Sequence, residues 1–228
     1  MKVVSTDIAK EVSVIHEQLN TYAEQGLSMF CTSSFQTHSI PLLHILVTTG
    51  LDIPIYFLHT GFHFPETLAF RNHVTQLLNL RVINISSPIS KSGQKDAQGK
   101  FLYASDPDRC CYLNKVLPLE SVLQAHDVWI NGIRKEQTGF RENLGTEEQG
   151  AFNTLRYHPI LNWSSKMVWD YRKQYDLPGH PLDAKGYLSI GCVPCTRRFD
   201  PGHGERSGRW SGLTKEECGI HTEFANIK

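Results

Sequence analysis

Short apolar runs that alternate with helical patterns constrain the fold more than any other feature of this sequence. The runs are typical of buried strands and occupy residues 27–32, 53–58, 80–85 and 128–132. Helical patterns lie around and between them, because apolar residues recur every three or four positions over 8–22, and Pro65 can open a helix that extends to about residue 78. Strands and helices of these lengths predict βαβ units, and hence an α/β fold with a mostly parallel, twisted sheet and helices on both faces.

The loops that follow the predicted strands are the natural place for a ligand. In parallel sheets, ligands bind beyond the carboxyl ends of the strands. Three loops lie there: 32–39, which is rich in serine and threonine, 59–67, and 131–141. The first of them leads into a predicted helix with Pro41 in its first turn, so backbone N–H groups at a helix start are available to an anion.

Composition narrows the class of partner. The 228 residues include 23 basic and 23 acidic side chains, so the net charge is zero and whole-surface attraction to nucleic acid or to a membrane is not expected. No apolar run approaches the roughly 20 residues of a membrane span, and the first residues lack the order of a signal peptide, which predicts a cytoplasmic location. Residues 197–215 carry a local excess of basic side chains, which fits either a solvated tail or an anion site.

Four of the six cysteines form two close pairs. Cys110 and Cys111 are adjacent, so their Cα atoms are only about 3.8 Å apart, below the roughly 4.4 Å usual for a disulfide. Cys192 and Cys195 have the two-residue gap that lets two thiolates converge on one centre. Together the four could hold a [4Fe–4S] cluster or a zinc ion, or remain unligated core or redox thiols. Adjacent ligands reach different corners of a cluster more easily than they reach one small ion.

The other two cysteines lie in contrasting surroundings. Cys31 ends an apolar run and is predicted to be a core residue. Cys218 lies in a polar stretch near the end of the chain, close in sequence to Arg206, Arg209 and His221. An exposed thiol beside basic groups can have a lowered pKa and act as a nucleophile, although an idle tail thiol is also consistent with the pattern.

Several segments together resemble the adenylyl-sulfate and phosphoadenylyl-sulfate reductase family. They include Cys110-Cys111 followed by Lys115, Cys192-Val193-Pro194-Cys195, and Glu217-Cys218-Gly219-Ile220-His221. The matching segments run in the family's order over 33–39, 58–67, 110–118, 129–137, 187–196, 204–210 and 217–221. Members that carry both cysteine pairs bind a [4Fe–4S] cluster and mostly reduce adenylyl sulfate, so this chain resembles that branch.

The resemblance implies a function and a site. It predicts reduction of adenylyl sulfate to sulfite and AMP in sulfate assimilation and cysteine biosynthesis, with Cys218 as the nucleophile, an S-sulfocysteine intermediate, and thioredoxin or a similar dithiol as donor. The cluster ligands would be Cys110, Cys111, Cys192 and Cys195, with the cluster ordering the site and tuning its electrostatics. The implied substrate-binding residues are Ser33, Ser34, Phe35, Ser39, Thr60, Gly61, Lys115, Arg134, Arg206, Arg209 and His221.

The resemblance also implies an organisation of the chain. The sheet is expected to be of the adenine nucleotide alpha-hydrolase or ATP-pyrophosphatase kind. Residues 1–196 would form the nucleotide-binding α/β domain, whose last part is a loop-rich, cluster-binding segment full of glycine and proline. Residues 197–228 would form a mobile tail that carries the catalytic cysteine. A homo-oligomer is compatible with the family.

Four positions depart from the family pattern, and other functions remain as alternatives. Gln36 replaces a common glycine, His59 and Asn162 replace aspartates, and Asn114 replaces an arginine. The nearest alternative is reduction of phosphoadenylyl sulfate, or of both substrates. More distant alternatives are an adenylating ATP-pyrophosphatase, whose glycine-rich Ser-Gly-Gly-x-Asp-Ser loop is absent from 33–39, and a zinc-stabilised binding domain.

Overall fold

A computed structural model describes residues 6–200, 208–210, 217, 219–222 and 224. The helices in this part of the chain are α1 Thr6–Glu24, α2 Ile40–Thr48, α3 Pro65–Leu77, α4 Leu102–Ser105, α5 Pro107–Cys111, α6 Leu117–Gln124, α7 Gly139–Glu142, α8 Ser165–Gln174 and α9 Gly219–Thr222. The strands are β1 Met29–Thr32, β2 Ile55–Leu58, β3 Val82–Ile85, β4 Val128–Asn131, β5 Glu147–Gln149 and β6 Leu155–Tyr157. A π-helical turn, Tyr112–Val116, connects α5 to α6.

The strands form one sheet in the order β3-β2-β1-β4-β6-β5. All neighbouring pairs are parallel except β5 and β6, so the predicted mostly parallel sheet is confirmed. The predicted strands are β1 to β4. The sequence analysis did not predict β5 and β6, which are three residues each and carry charged side chains.

Helices cover both faces of the sheet because the strand side chains alternate between two apolar clusters. Cys31 and Ile130 face the larger cluster, to which α1, α2 and α8 contribute. Phe30 and Trp129 face the other, where α6 and α9 pack. The prediction of helices on both faces is therefore confirmed as well.

The order of the strands places a crevice at the carboxyl ends of β1 and β4. The chain proceeds from β1 outward through β2 to β3, then returns to form β4 on the opposite side of β1. At such a reversal the following loops leave in opposite directions and open a space between them. Within the described part of the chain, no helix is both long and apolar enough to cross a membrane.

Candidate active site

A cavity of about 180 Å³ occupies the crevice between β1 and β4. Thr32 and Asn131, paired in register at the ends of these strands, both line it. Its walls include the loops that follow β1, β2 and β4 and residues 188–192 of the loop-rich segment, together with Lys115, Arg209 and two residues of α9. All three candidate loops of the sequence analysis contribute residues to the wall, which makes this cavity the candidate active site.

The loop after β1 turns its serines to the cavity and its phenylalanine to the core. Ser33, Ser34 and Ser39 line the cavity. Phe35 lies in the left-handed region with φ of 53°, and its fully buried ring packs edge-on against Phe57 with the ring centroids 5.8 Å apart. The Phe35 N–H donates to the Ser33 Oγ at 3.1 Å, which closes the turn. Phe35 therefore anchors the loop, and its side chain is not among those that line the cavity.

The loop after β2 supplies one of its two predicted residues to the cavity. Thr60 is on the wall, whereas Gly61, with φ of 74°, lies outside it and accepts a hydrogen bond from the Lys91 ammonium at its carbonyl. His63 is also on the wall, and burial lowers the pKa of its ring to about 4. His59 contacts the rings of Phe57 and His63 and is not a wall residue.

Basic side chains reach the cavity from three directions. Lys115, Arg209 and Arg141 are all wall residues, and only the first two were predicted. Arg134 has no exposed surface: its guanidinium contacts the Glu136 carboxylate and donates to Ser165 Oγ at 3.2 Å. The Arg134 side chain thus lies behind the wall and braces the loop after β4 rather than lining the cavity.

The described tail residues close one side of the cavity. Ile220 and His221 of α9 line it, and the His221 ring stacks on Trp129 at an interplanar angle of 2°. Glu217 is buried against the loop after β4, where it forms an ion pair with Arg141. The predicted nucleophile Cys218 and the predicted substrate contact Arg206 lie outside the residues that the structure describes.

A second, smaller cavity adjoins the first and is lined by four cysteines. Cys110 and Cys111 reach it from α5, and Cys192 and Cys195 reach it from a short helical turn, Val193–Cys195, and the residue before it. None of the four forms a disulfide. Two pairs that are about 80 residues apart in sequence thus line one cavity.

The wall between the two cavities is shared. Thr60, Lys115 and Cys192 line both. The Lys115 ammonium donates to the Cys111 Sγ at 3.7 Å, and the Thr60 Oγ1 lies 3.3 Å from the Cys192 Sγ. A change in the charge of these sulfurs would therefore act directly on Lys115 and Thr60, which also line the larger cavity.

The chemistry of the smaller cavity is that of a four-thiol donor set. Four cysteines are the ligands that a [4Fe–4S] cluster takes. A tetrahedral zinc ion can take the same four thiolates. Among the described residues, no group of three or more histidine, cysteine or acidic side chains is arranged so that it could hold a metal ion. Burial raises the pKa of the Cys110 thiol to about 11, and Cys192 and Cys195 add to that effect, so metal binding must displace a proton there.

Asn114, one of the departures from the family pattern, supports this cysteine cavity. Its amide donates to the Cys110 carbonyl at 2.8 Å and to the Cys110 Sγ at 3.6 Å. Gln94 exchanges two hydrogen bonds with it, and both side chains are buried. Gln94 was missed by the sequence analysis, since its role depends on a contact across 20 residues that no local pattern signals.

The remaining departures have different surroundings. Gln36 lines the larger cavity, where its Oε1 accepts from the Ile190 N–H at 2.7 Å and its amide donates to Ser34 Oγ at 3.1 Å. It therefore connects the loop after β1 to the segment that leads to Cys192. Asn162 is exposed and lies outside the wall of the cavity.

Comparison with known proteins identifies relatives over most of the chain. Residues 28–198 match the phosphoadenosine phosphosulfate reductase domain family. The chain is 40% identical over 183 residues to the adenosine 5'-phosphosulfate reductase of Rhodococcus erythropolis, covering 79% of this chain and 73% of that protein. It is 36% identical over 219 residues to the phosphoadenosine 5'-phosphosulfate reductase of Gloeobacter violaceus, with coverages of 94% and 89%. The adenosine 5'-phosphosulfate reductase 1 of Bacillus subtilis is 34% identical over 202 residues, with coverages of 88% and 87%.

Solved structures share the fold at low sequence identity. The phosphoadenylyl-sulfate reductase of Candida auris, solved as a phosphate complex, superimposes with a TM-score of 0.65 at 20% identity, covering 85% of this chain and 97% of that one. The FMN adenylyltransferase of Candida glabrata gives a TM-score of 0.64 at 14% identity, with coverages of 100% and 86%. At these identities the likeness concerns the fold alone, and it agrees with the predicted α/β fold with a mostly parallel sheet.

Proposed function

Since this chain belongs to the phosphoadenosine phosphosulfate reductase family, we propose that it reduces adenylyl sulfate to sulfite and AMP in sulfate assimilation. It is an oxidoreductase that acts on a sulfur group. The observation that carries the proposal is the shared wall of Thr60, Lys115 and Cys192, which joins the crevice at a strand reversal to a cavity lined by four cysteines. A nucleotide site in direct contact with a four-thiol site is what we expect of the branch of this family that carries both cysteine pairs.

The larger cavity suits an anionic nucleotide. Its position beyond β1 and β4 is where open α/β sheets bind nucleotides. Ser33, Ser34 and Ser39 lie on one wall, next to the short helical turn Thr37–Ser39 that leads into α2, and serine hydroxyl groups can donate hydrogen bonds to an anion. Lys115 and Arg209 supply positive charge on the other walls, and they would stabilise the phosphosulfate and the charge that develops on AMP as it leaves.

Cys218 performs the sulfur chemistry in this proposal. Its thiolate attacks the sulfur of the sulfate group, a new S–S bond forms, and the S–O bond to the phosphate breaks with its electron pair departing on AMP. A dithiol such as thioredoxin then attacks the Cys218 Sγ, and sulfite leaves with the electron pair of that S–S bond. The second thiol of the donor resolves the mixed disulfide, so the donor is oxidised to a disulfide while sulfate is reduced to sulfite.

Cys110, Cys111, Cys192 and Cys195 would hold a [4Fe–4S] cluster. When bound, the cluster would order the loop-rich segment and set the local charge. Lys115, which contacts both the Cys111 Sγ and the larger cavity, would orient the anionic end of the substrate. Asn114 and Thr60 would donate hydrogen bonds to the ligand sulfurs, contacts of the kind that tune such sites.

Sulfite release is the direct test of the function. The anaerobically purified protein, given reduced thioredoxin, is expected to form sulfite from adenylyl sulfate faster than from phosphoadenylyl sulfate. A preference for the phosphorylated substrate would move the chain to the other branch of the family. Release from neither substrate would refute the proposal.

The nucleophile is tested by Cys218→Ser. A serine hydroxyl is a far weaker nucleophile than a thiolate, so this variant is expected to release no sulfite and to form no S-sulfonated protein by mass spectrometry, while AMP binding persists. Cys31→Ala serves as the control, because Cys31 is buried in the larger apolar cluster away from both cavities. Retained turnover in Cys218→Ser would exclude Cys218 as the nucleophile.

A further inference from the structure

Glu217, the residue before the proposed nucleophile, is held in a buried cradle formed by the loop after β4. Its Oε1 accepts from the Thr138 Oγ1 at 2.5 Å and from the Arg141 Nε at 2.9 Å, and its Oε2 accepts from the Arg141 Nη2 at 2.8 Å. The side chains of Arg141 and Glu217 are each only 5% exposed. This two-point, charge-assisted contact spans 76 residues of sequence and is unlike the exposed ion pairs of the surface.

The cradle itself is braced against the sheet. Arg141 Nη1 donates to the Gln137 Oε1, which also accepts from the Arg134 N–H at 3.1 Å. The guanidinium of Arg141 thus has one edge on Glu217 and its remaining nitrogen fixed to its own loop. The position of Arg141 therefore does not depend on the tail alone. Arg134, which starts this loop, is itself buried against Ser165 and the Trp163 carbonyl.

The cradle also belongs to the cavity. Gln137 and Arg141 line it, and so do Ile220 and His221, which follow Glu217 closely in sequence. Glu217 is therefore docked at the rim of the site by residues that belong to the rim. A buried carboxylate would be costly without these partners, so the contact favours one docked position of the tail over many alternatives.

We propose that Thr138 and Arg141 are positioning residues that dock the tail through Glu217 and thereby align the adjacent cysteine for attack on the substrate. The inference rests on the proposed function, because alignment has a kinetic meaning only if Cys218 is the nucleophile. None of the three side chains needs to touch the reacting atoms. Their effect is on the sulfonation step, where a displacement of about 1 Å can reduce the rate about 100-fold.

The test is a double-mutant cycle on the rate of S-sulfonation of Cys218 in a single turnover without thioredoxin. Glu217→Gln and Arg141→Gln are each expected to lower this rate about 100-fold. The double variant is expected to be no slower than the slower single variant, since both changes remove one contact. Thr138→Val removes one hydrogen bond to a charged group and is expected to cost about tenfold. Arg81→Gln is the matched control, because the Arg81–Asp52 pair is exposed and remote from the cavity.

Two further readouts separate docking from general stability and from substrate binding. Hydrogen–deuterium exchange in Glu217→Gln is expected to rise in the α9 peptide and to stay unchanged in β1 and β4. The AMP dissociation constant of Glu217→Gln is expected to stay within about threefold of the wild type, because Glu217 does not line the cavity. Thr138→Val, the mildest change, keeps the test valid if the charged variants fail to fold.

The outcomes distinguish the inference from the function on which it rests. Wild-type sulfonation rates in Glu217→Gln, or simple additivity in the cycle, would overturn the docking role while leaving the reductase intact. A fall in AMP affinity as large as the fall in rate would also overturn it. If the wild-type protein forms no S-sulfocysteine with either substrate, the proposed function fails, and unchanged α9 exchange in Glu217→Gln would then independently refute the docking.

Discussion

The two adjoining cavities are built in different ways. The larger one lies at the ends of β1 and β4, whose side chains belong to the two apolar clusters of the sheet. The cysteine cavity is framed by α5, which has five residues, and by the three-residue turn Val193–Cys195. Its own apolar cluster consists of Leu102, Cys110 and Leu113, with a few partly buried neighbours.

This difference indicates what holds each cavity in shape. Burial of the strands stabilises the sheet and fixes its loops at little further cost, so the larger cavity is organised by the core. Three buried residues cannot offset the ordering of a loop-rich segment in the same way. We infer that ligand binding by the cysteines supplies that stabilisation, as it does in other sites whose metal binding is coupled to folding.

Replacement of one cysteine of the smaller cavity is expected to have the largest effect. Cys195 is the most exposed of the four, so Cys195→Ala leaves little packing defect of its own. We expect loss of iron and sulfide, and a fall in turnover of more than about 100-fold, because three thiolates hold a cluster poorly. Hydrogen exchange should rise in 100–116 and 187–196 and stay unchanged in β1 and β4.

Cys31→Ala provides the control for this experiment. Its thiol is fully buried in the apolar cluster beside α1 and α2, so the variant should keep its iron and lose only a little stability. Unchanged iron content in Cys195→Ala would remove Cys195 from the ligand set. Zinc in place of iron in the wild-type protein would instead favour a structural zinc site and would contradict the cluster.

The pH dependence of stability tests a buried histidine at the end of the sheet. The ring of His158, at the end of β6, is fully buried and its Nδ1 lies 2.8 Å from the Asn131 Oδ1. Burial lowers the pKa of His158 to about 3, and the charges of Arg156 and Arg141 contribute. The unfolded chain, with an ordinary histidine pKa near 6.5, binds the proton first as the pH falls. The contribution of His158 to the free energy of unfolding is therefore complete above about pH 6.5. It declines below that pH, by at most about 1.4 kcal/mol per pH unit.

Replacing His158 should flatten this dependence. The asparagine side chain of His158→Asn does not titrate, so the free energy of unfolding of this variant in urea should fall less than that of the wild type between pH 6.5 and 4. An equal acid dependence in His158→Asn and the wild type would show that other groups determine it.

The sequence predicts the strands of the sheet better than it predicts which side chains line either cavity. Strands β1 to β4 are predominantly apolar, whereas β6 contains a fully buried arginine, Arg156, and therefore lacks the pattern of a buried strand. The spacing of Cys111 and Lys115 along a helical stretch brings the ammonium to the sulfur, and that neighbourhood is readable locally. Phe35 and Arg134 were predicted to bind substrate, but their side chains are buried behind the wall, because a motif specifies a loop without specifying which side chains turn inward.

Long-range polar pairs could not be predicted for a related reason. The contacts of Gln94 with Asn114 and of Arg141 with Glu217 depend on how distant segments meet after the core has formed. Neither pair has a periodicity or a spacing that marks it. The two cysteine pairs differ from these contacts, because their spacing in sequence already marks them as a candidate ligand set, and all four side chains line one cavity.

Gln36 links the loop after β1 to the segment that leads to the cysteine cavity, and its replacement is expected to have the smallest effect on ligand binding. Its Oε1 accepts from the Ile190 N–H at 2.7 Å and its amide donates to the Ser34 Oγ at 3.1 Å, so it ties the loop after β1 to the segment before Cys192. Gln36→Ala removes both hydrogen bonds, each worth about 1 kcal/mol at most in a half-exposed setting. We therefore expect AMP to bind about fivefold more weakly by calorimetry, with iron content unchanged.

Gln76→Ala, on the exposed side of α3, is the control and should bind AMP like the wild type. If Gln36→Ala instead loses iron while AMP affinity persists, the cysteine cavity depends on the sheet through this side chain, and the two halves are less independent than their construction suggests.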